Sequence, residues 1–286
     1  MLQYDKNHGD RLLTAMINKD WRLSLRAKIN QLSKIRVGAV SYLNTKPLLF
    51  GIKKHPVSKE IVLIEDYPSI IAQMLVDDEI DIGLVPVATT LRLDEWYIHS
   101  NYCIGSVGAV ASVCIFSDVP MEEIKSVYLD YQSKTSVNLA KILLKEYWNK
   151  EVEFIDATGE DFRQELRGTT AGVVIGDRAL EQRKKSKYIY DLGEAWKEHT
   201  GLPFVFAAWI SNKKLSENFT AAFNEANVLG LQNIEHVIRE NQFSYFDLKT
   251  YYTSCISYEF DEEKKRGLEL FLSMLKKLKT SNKEPC

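Results

Sequence analysis

The segment that follows the first apolar run combines a hydroxyl and an amide side chain at a place suited to bind an anion. Ser41 and Asn44 come directly after the run 35–40 and before a helical pattern that contains Pro47. Backbone N–H groups at the start of a helix have no partner within the helix and attract negative charge. Asn44 could therefore orient an anionic ligand, or it could do no more than cap the helix.

A second segment of the same character follows later in the chain. Ser133, Thr135 and Ser136 stand between the strand-like run 127–129 and a long helical pattern over residues 137–147. Three hydroxyl groups beside bare helix amides could form a cradle for a carboxylate or a phosphate. A cap by Ser133 would explain only one of the three hydroxyls, so both interpretations stay open.

Two more places carry small or polar residues next to apolar strands. Ser106 and Ser112 lie in the glycine-rich stretch 105–112, whose spacing does not match a dinucleotide-binding loop and whose small residues would let a ligand approach closely. A buried serine must find a hydrogen-bond partner, either in the backbone or in a ligand. Gly176 and Asp177 follow a buried strand, where Asp177 could cap the next helix or face a binding crevice.

The usual catalytic and metal-binding patterns are missing from the sequence. The five histidines are scattered, the four cysteines have neither metal-site nor redox spacing, and no nucleophile elbow or Walker loop occurs. We therefore expect an anion-binding cleft that uses neither a metal nor a cofactor.

Composition argues against several classes of protein. A net charge of −2 over 286 residues provides no general field for nucleic acid, and no apolar stretch reaches the roughly 20 residues that span a bilayer. Residues 1–34 are charged throughout and show no apolar core of a secretory signal. Because nothing demands disulfides, a reducing compartment fits, and we expect a cytoplasmic protein. The oligomeric state is left open.

Short apolar strands alternate with helical patterns along most of the chain. One series lies within residues 35–86, and a second begins after Pro120 and leads into a mostly helical tail. This order predicts an α/β fold of two lobes, each a mainly parallel sheet flanked by helices. The apolar stretches 109–116 and 204–210 are predicted to be two strands that cross between the lobes.

The predicted domain boundaries follow from these two crossings. Residues 1–34 form an N-terminal extension without an assigned function, and residues 35–114 form the first part of lobe I. Residues 115–206 form lobe II, and residues 207–286 return to lobe I and include the helical tail. The cleft between lobes I and II is the expected ligand site.

The same segments resemble the chorismate dehydratase family of the futalosine route to menaquinone. The resemblance runs in family order over about residues 35–210, while residues 1–34 lie outside it and the tail matches only loosely. It rests on the stretches VGAVSYLNTKPL, PSIIAQMLVDDEIDIGLVPVA, CIGSVGAVASVCIFS, LDYQSKTSVNLAKILL, VVIGDRAL and YDLGEAWKEHTGLPFVFAAW. At Lys134 the family more often has arginine, whose bidentate fork lysine lacks.

The resemblance implies the fold of type II solute-binding proteins and the removal of water from chorismate, giving 3-[(1-carboxyvinyl)oxy]benzoate. It also implies that a carboxylate of the substrate accepts the proton, so that the protein supplies position and polar contacts. In this scheme Asn44 and Ser112 contact the reacting groups. The other polar residues are expected to bind the substrate: Ser41, Ser106, Ser133, Thr135, Ser136, Gly176 and Asp177.

Two other functions are compatible with the same fold. A solute-binding protein for a small or aromatic carboxylate would bind its ligand without turnover, but such receptors are exported and no export signal is recognised at the start of this sequence. The sister enzyme dihydroxynaphthoate synthase opens with a cysteine-proline-asparagine-aspartate segment, whereas this chain has SYLNTKPL. Assays with the two substrates would separate these functions.

Overall fold

The computed structural model describes residues 34–281, and the structural statements below refer to this part of the chain. Apart from its last residue, the N-terminal extension predicted over residues 1–34 lies outside the described residues. The described residues form an α/β fold built on two sheets.

Six strands form the sheet of lobe I. They are β1 (Ile35–Val40), β2 (Ile61–Asp66), β3 (Ile82–Pro86), β4 (Tyr97–Ser106), β10 (Phe204–Ser211) and β11 (Ser257–Glu259). Their order across the sheet is β11-β4-β10-β3-β1-β2. Strands β3 and β10 are buried along their whole length, as expected for apolar strands covered on both faces.

Five strands form the sheet of lobe II. They are β5 (Val113–Ser117), β6 (Ser126–Leu129), β7 (Glu153–Asp156), β8 (Thr170–Ile175) and β9 (Tyr188–Asp191). Their order across the sheet is β7-β6-β8-β5-β9.

Helices connect the strands and build the tail. They are α1 (Lys46–Lys54), α2 (Pro68–Val76), α3 (Lys134–Glu146), α4 (Asp177–Gln182), α5 (Leu192–Thr200), α6 (Glu217–Leu231), α7 (Ile234–Glu240), α8 (Leu248–Thr250) and α9 (Glu262–Ser281). Helices α1 and α2 carry proline in the first turn, where its missing N–H costs nothing. Among the described residues, no helix is both long and apolar enough to cross a bilayer.

The predicted α/β fold of two lobes is confirmed, but the sheets are mixed and not mainly parallel. Strand β1 pairs in parallel with β2 and β3, whereas β10 runs antiparallel to β3 and β4. In lobe II, β6 is parallel to β7 and β8, and β5 is antiparallel to β8 and β9. Strands β4 and β10 are antiparallel because the chain leaves lobe I after β4 and returns to it along β10.

The outgoing crossing differs from the continuous strand predicted over residues 109–116. Strand β4 ends in the first sheet at Ser106, β5 begins in the second sheet at Val113, and residues 107–112 connect them. Ala111 has a φ of 63°, a left-handed conformation that interrupts an extended strand. The predicted boundary after residue 114 therefore falls inside β5.

The return crossing also lies earlier than predicted. Strand β9 and helix α5 come before it, and the whole of β10 belongs to the sheet of lobe I. The predicted boundary after residue 206 thus falls inside β10. Phe271 of the tail helix α9 packs against Phe204 of β10 and Trp196 of α5, with ring centroids 5.0 and 6.2 Å apart.

Two glycines allow helices α1 and α6 to touch along their backbones. A Cβ atom on Gly51 would lie 1.8 Å from the carbonyl oxygen of Ala226, and one on Gly230 would lie 1.9 Å from that of Pro47. No larger residue fits without separating the helices. This contact fixes helix α1, whose first turn follows Asn44.

Candidate functional site

A cavity lies between the two sheets and is lined by both lobes. Lobe I contributes Asn44, and lobe II contributes Ser133, Ser136 and Gly176. Apolar residues at the ends of strands β1, β3 and β8 complete much of the wall: Val40, Pro86 and Ile175. The two polar segments that the sequence predicts as anion-binding sites therefore border one shared space, as expected where strands end at a common crevice.

Asn44 does not act as the cap of helix α1. Its side chain makes no capping hydrogen bond, and its Oδ1 accepts a hydrogen bond from Thr45 Oγ1 at 3.1 Å. The backbone oxygen of Asn44 accepts a hydrogen bond from Tyr258 Oη at 2.9 Å. The tail thus fixes the backbone at Asn44, and no described residue accepts a hydrogen bond from its amide Nδ2.

The hydroxyl segment at the start of helix α3 both caps the helix and lines the cavity. Ser133 Oγ accepts hydrogen bonds from Ser136 N at 3.3 Å and Ser136 Oγ at 3.2 Å. Thr135 is fully buried, and its Oγ1 accepts a hydrogen bond from Ala88 N of lobe I at 2.9 Å. Thr135 therefore joins the lobes in this structure, and its predicted contact with substrate stays a prediction.

Gly176 and Asp177 meet the turn before Asn44 from the opposite lobe. The carboxylate of Asp177 accepts a hydrogen bond from Leu43 N, with N–O distances of 3.0 and 3.3 Å. Gly176 has a φ of 65°, and a Cβ atom there would lie 2.7 Å from the ring of Tyr42. Glycine is thus required both by the backbone conformation and by the close approach of the two lobes.

The remaining predicted site residues do not line the cavity. Ser112 is fully buried, although its neighbour Val113 does line it. Ser106 is buried, and its hydroxyl has no hydrogen-bond partner among the described residues. Ser41 is half-buried, and its N–H donates to Asp66 O at 3.1 Å. The roles assigned to these three serines stay predictions.

Comparison with known families shows which family the chain belongs to. The sequence profile described as menaquinone biosynthesis matches residues 35–277, most of the chain. The chain belongs to this family. The match includes the helical tail, which the sequence resemblance covered only loosely.

Two curated relatives of this chain are named chorismate dehydratase. The one from Campylobacter jejuni is 26% identical over 250 residues, covering 84% of this chain and 97% of the relative. The one from Thermus thermophilus is 24% identical over 259 residues, covering 84% of this chain and 94% of the relative.

A solved structure shows that the chain has a known fold. A Candida albicans protein described as having the generic periplasmic binding protein fold superposes with a TM-score of 0.57 at 13% identity, covering 88% of this chain and 92% of that one. This likeness concerns the fold alone, and it agrees with the predicted solute-binding-protein-like architecture.

Sequence reasoning missed a buried polar network in lobe II of this family member. The carboxylate of Asp130 accepts hydrogen bonds from Arg178 Nη2 at 2.9 and 3.0 Å, from Gln132 N at 2.9 Å and from Ile175 N at 3.2 Å. Tyr42 of lobe I donates a hydrogen bond to Gln132 Oε1. The Asp-x-Gln spacing indicates a local turn, but nothing in it reveals the arginine, which lies 48 positions away.

Asp191 is a second residue that the sequence did not reveal. Its carboxylate caps helix α5 through Gly193 N and Glu194 N, at 3.0 and 3.2 Å. It also accepts hydrogen bonds from Val110 N at 3.0 Å and Ala111 N at 2.7 Å. One buried carboxylate thereby holds the crossing segment 107–112 in its strained conformation.

Asp177 gives the contact between the lobes a dependence on pH. Burial raises the pKa of Asp177 to about 6, and the N–H group of Leu43 opposes this shift. The native state therefore binds a proton more tightly than the unfolded state, so the stability contributed by Asp177 is fully present at low pH. It is lost as the pH rises from about 4 through 6.

We expect the Asp177→Asn variant to lose this part of the pH dependence. The free energy of unfolding of the variant relative to wild type should rise by about 2 kcal/mol between pH 4 and pH 7.5, since each tenfold change in proton affinity is worth about 1.4 kcal/mol. Urea unfolding at a series of pH values measures the difference. The exposed Asp94→Asn variant serves as the control, and parallel curves for wild type and Asp177→Asn would contradict the assignment.

Proposed function

We propose that the protein removes water from chorismate and forms 3-[(1-carboxyvinyl)oxy]benzoate, as the first step of the futalosine route to menaquinone. The observation that carries this proposal is the shared cavity, at which an amide-bearing turn of one lobe faces a hydroxyl-bearing helix start of the other. Chorismate carries two carboxylates, and two polar helix starts suit a doubly negative ligand. The two curated chorismate dehydratases that match most of the chain support the same reaction.

The reaction needs little acid or base chemistry from the protein. The hydrogen on the ether-bearing ring carbon is acidified through the ring double bond and the ring carboxylate. When the carboxylate of the enolpyruvyl arm takes this proton, the C–H electron pair forms a ring double bond and the neighbouring C–O bond breaks. The departing hydroxide combines with the proton to give water, and the ring becomes aromatic. The protein then contributes orientation and polar stabilisation.

Asn44, Ser133 and Ser136 line the cavity, Ser112 lies beside it next to Val113, and each has a proposed role. Asn44, whose Nδ2 has no partner among the described residues, orients the substrate and donates a hydrogen bond to the departing hydroxyl group. Ser133 and Ser136 bind one carboxylate at the start of helix α3, where the helix dipole favours negative charge. Ser112 holds the ring or the enolpyruvyl arm.

Incubation of the purified full-length protein with chorismate tests the proposal. We expect loss of chorismate and an equal amount of 3-[(1-carboxyvinyl)oxy]benzoate, identified by chromatography and mass, with no product in a protein-free incubation. Binding of chorismate without turnover would favour a solute-binding protein. Turnover of the dihydroxynaphthoate synthase substrate in place of chorismate would favour the sister enzyme.

We also propose that this chemistry takes place in the cytoplasm. Cys103, Cys114 and Cys255 form no disulfide among the described residues. Thiols that stay unpaired are typical of a reducing compartment. Fractionation of cells that express the tagged protein tests this location.

A further inference from the structure

Tyr251 from the tail reaches the serine assigned to the reacting groups. Its hydroxyl donates a hydrogen bond to Ser112 Oγ at 2.8 Å, and both residues are fully buried. Tyr251 begins a wide helical turn over residues 251–255, after helix α8. Its ring packs against Phe246 and Tyr252, with centroids 6.1 and 5.7 Å away, so the position of the hydroxyl is fixed by packing.

The hydrogen bond from Tyr251 is the short contact of the Ser112 hydroxyl group. Burial raises the pKa of Tyr251 well above its ordinary value, so the phenol stays protonated and remains the donor. A serine hydroxyl has one hydrogen and two acceptor sites. The acceptor offered to the Ser112 hydrogen by the described residues is Val110 O, at 3.5 Å, which is the outer limit of a hydrogen bond.

The backbone of Ser112 has little freedom to adjust. Its N–H donates to Val110 O at 2.8 Å, and its carbonyl oxygen accepts from Gly176 N at 2.8 Å. The preceding Ala111 is held in the left-handed region by the carboxylate of Asp191. Ser112 is hydrogen-bonded to Gly176 and precedes Val113, and both of these residues line the cavity. The hydrogen bond from Tyr251 to Ser112 therefore helps to fix this part of the cavity wall.

We propose that Tyr251 is a positioning residue that holds Ser112 in place and thereby positions Val113 and Gly176 at the wall of the cavity. This inference rests on the proposed function, because it concerns the same site and reaction. Tyr251 acts through Ser112 and does not line the cavity. The tail therefore contributes to the site as well as to the packing of the lobes.

The test compares Tyr251→Phe with Tyr252→Phe, each made in the wild-type and Ser112→Ala backgrounds. Tyr252 is the matched control because it is the next residue, is equally buried, and its hydroxyl has no partner among the described residues. We expect Tyr251→Phe to lower kcat for chorismate by about tenfold, less than the loss of a donor that contacts the substrate directly, with KM nearly unchanged. Tyr252→Phe should leave kcat within about twofold.

The Ser112→Ala background distinguishes positioning from a general structural effect. There, Tyr251→Phe should lower kcat by less than about twofold, because residues that act as a unit are not additive. A kcat within twofold of wild type for Tyr251→Phe, or an equal loss in both backgrounds, would overturn the inference while turnover by wild type still supports the proposed function. If wild type leaves chorismate unchanged, both proposals fall. Thermal unfolding of each variant confirms that the protein under assay is folded.

Discussion

Replacing Asn44 by alanine is expected to raise the activation free energy of chorismate dehydration by about 2–4 kcal/mol, which corresponds to roughly a 30- to 1,000-fold loss of kcat. The Asn44 amide lines the cavity but does not cap helix α1, so its loss removes a donor to the substrate and spares the helix. Steady-state kinetics on the folded variant measures the effect.

The control for Asn44→Ala is a second asparagine that does not line the cavity. Asn138 lies within helix α3 and donates to the carbonyl oxygen of Lys134 at 2.7 Å. Asn138→Ala should keep kcat within about twofold of wild type, as expected for a surface substitution. Near-normal dehydration by Asn44→Ala, in a protein with the thermal stability of wild type, would reject its catalytic role.

Replacing Arg178 by methionine is expected to lower the free energy of unfolding by about 3–5 kcal/mol at neutral pH, the range measured when one partner of a buried ion pair is removed. The side chain of Asp130 is fully buried and that of Arg178 nearly so, and they meet at 2.9 Å. Without the guanidinium, the carboxylate stays buried as an uncompensated charge. Urea unfolding measures the loss.

The pH dependence of this variant provides an independent check. Burial raises the pKa of Asp130, and the charge of Arg178 opposes that shift. Removing Arg178 raises the pKa of Asp130 further, so the folded variant takes up a proton that the unfolded chain does not. The variant should therefore recover stability relative to wild type as the pH is lowered from neutral.

Two further variants separate the buried pair from ordinary surface pairs. Arg167 lies 3.2 Å from Glu165, and the two side chains are 76% and 52% exposed, so Arg167→Met should cost less than about 1 kcal/mol. Adding Asp130→Asn to Arg178→Met removes the buried charge and should restore part of the lost stability. An Arg178→Met variant no less stable than Arg167→Met would show that the buried pair is not needed.

Several features of the site could be predicted from sequence because they depend on local order. Each of the two polar segments follows a strand and precedes a helix, one in each lobe, and the carboxyl ends of parallel strands face the binding crevice. Asn44, Ser133, Ser136 and Gly176 were placed in this way, and all four line the cavity. Their roles toward a ligand stay proposals.

Features that depend on chain direction at the crossings could not be predicted. A continuous apolar stretch does not reveal whether a strand is parallel or antiparallel to its neighbour, because either pairing buries the same side chains. The same stretch also does not reveal to which sheet it belongs. Residues 204–210 are predicted to cross between the lobes, whereas β10 lies wholly within the sheet of lobe I. The break before β5 depends on the conformation of Ala111, which the Asp191 carboxylate holds from 80 positions away.

The sequence by itself determined the alternation of strands and helices, the two-lobed α/β fold and the polar segments at the strand ends, because these follow from periodicity and from the residues next to each helix. Only the tertiary structure decided which distant side chains meet. Leu43 and Asp177 are 134 positions apart, and Ser112 and Tyr251 are 139 apart. Such contacts depend on how the whole chain packs, and the residues next to them in sequence carry no local sign of the partner.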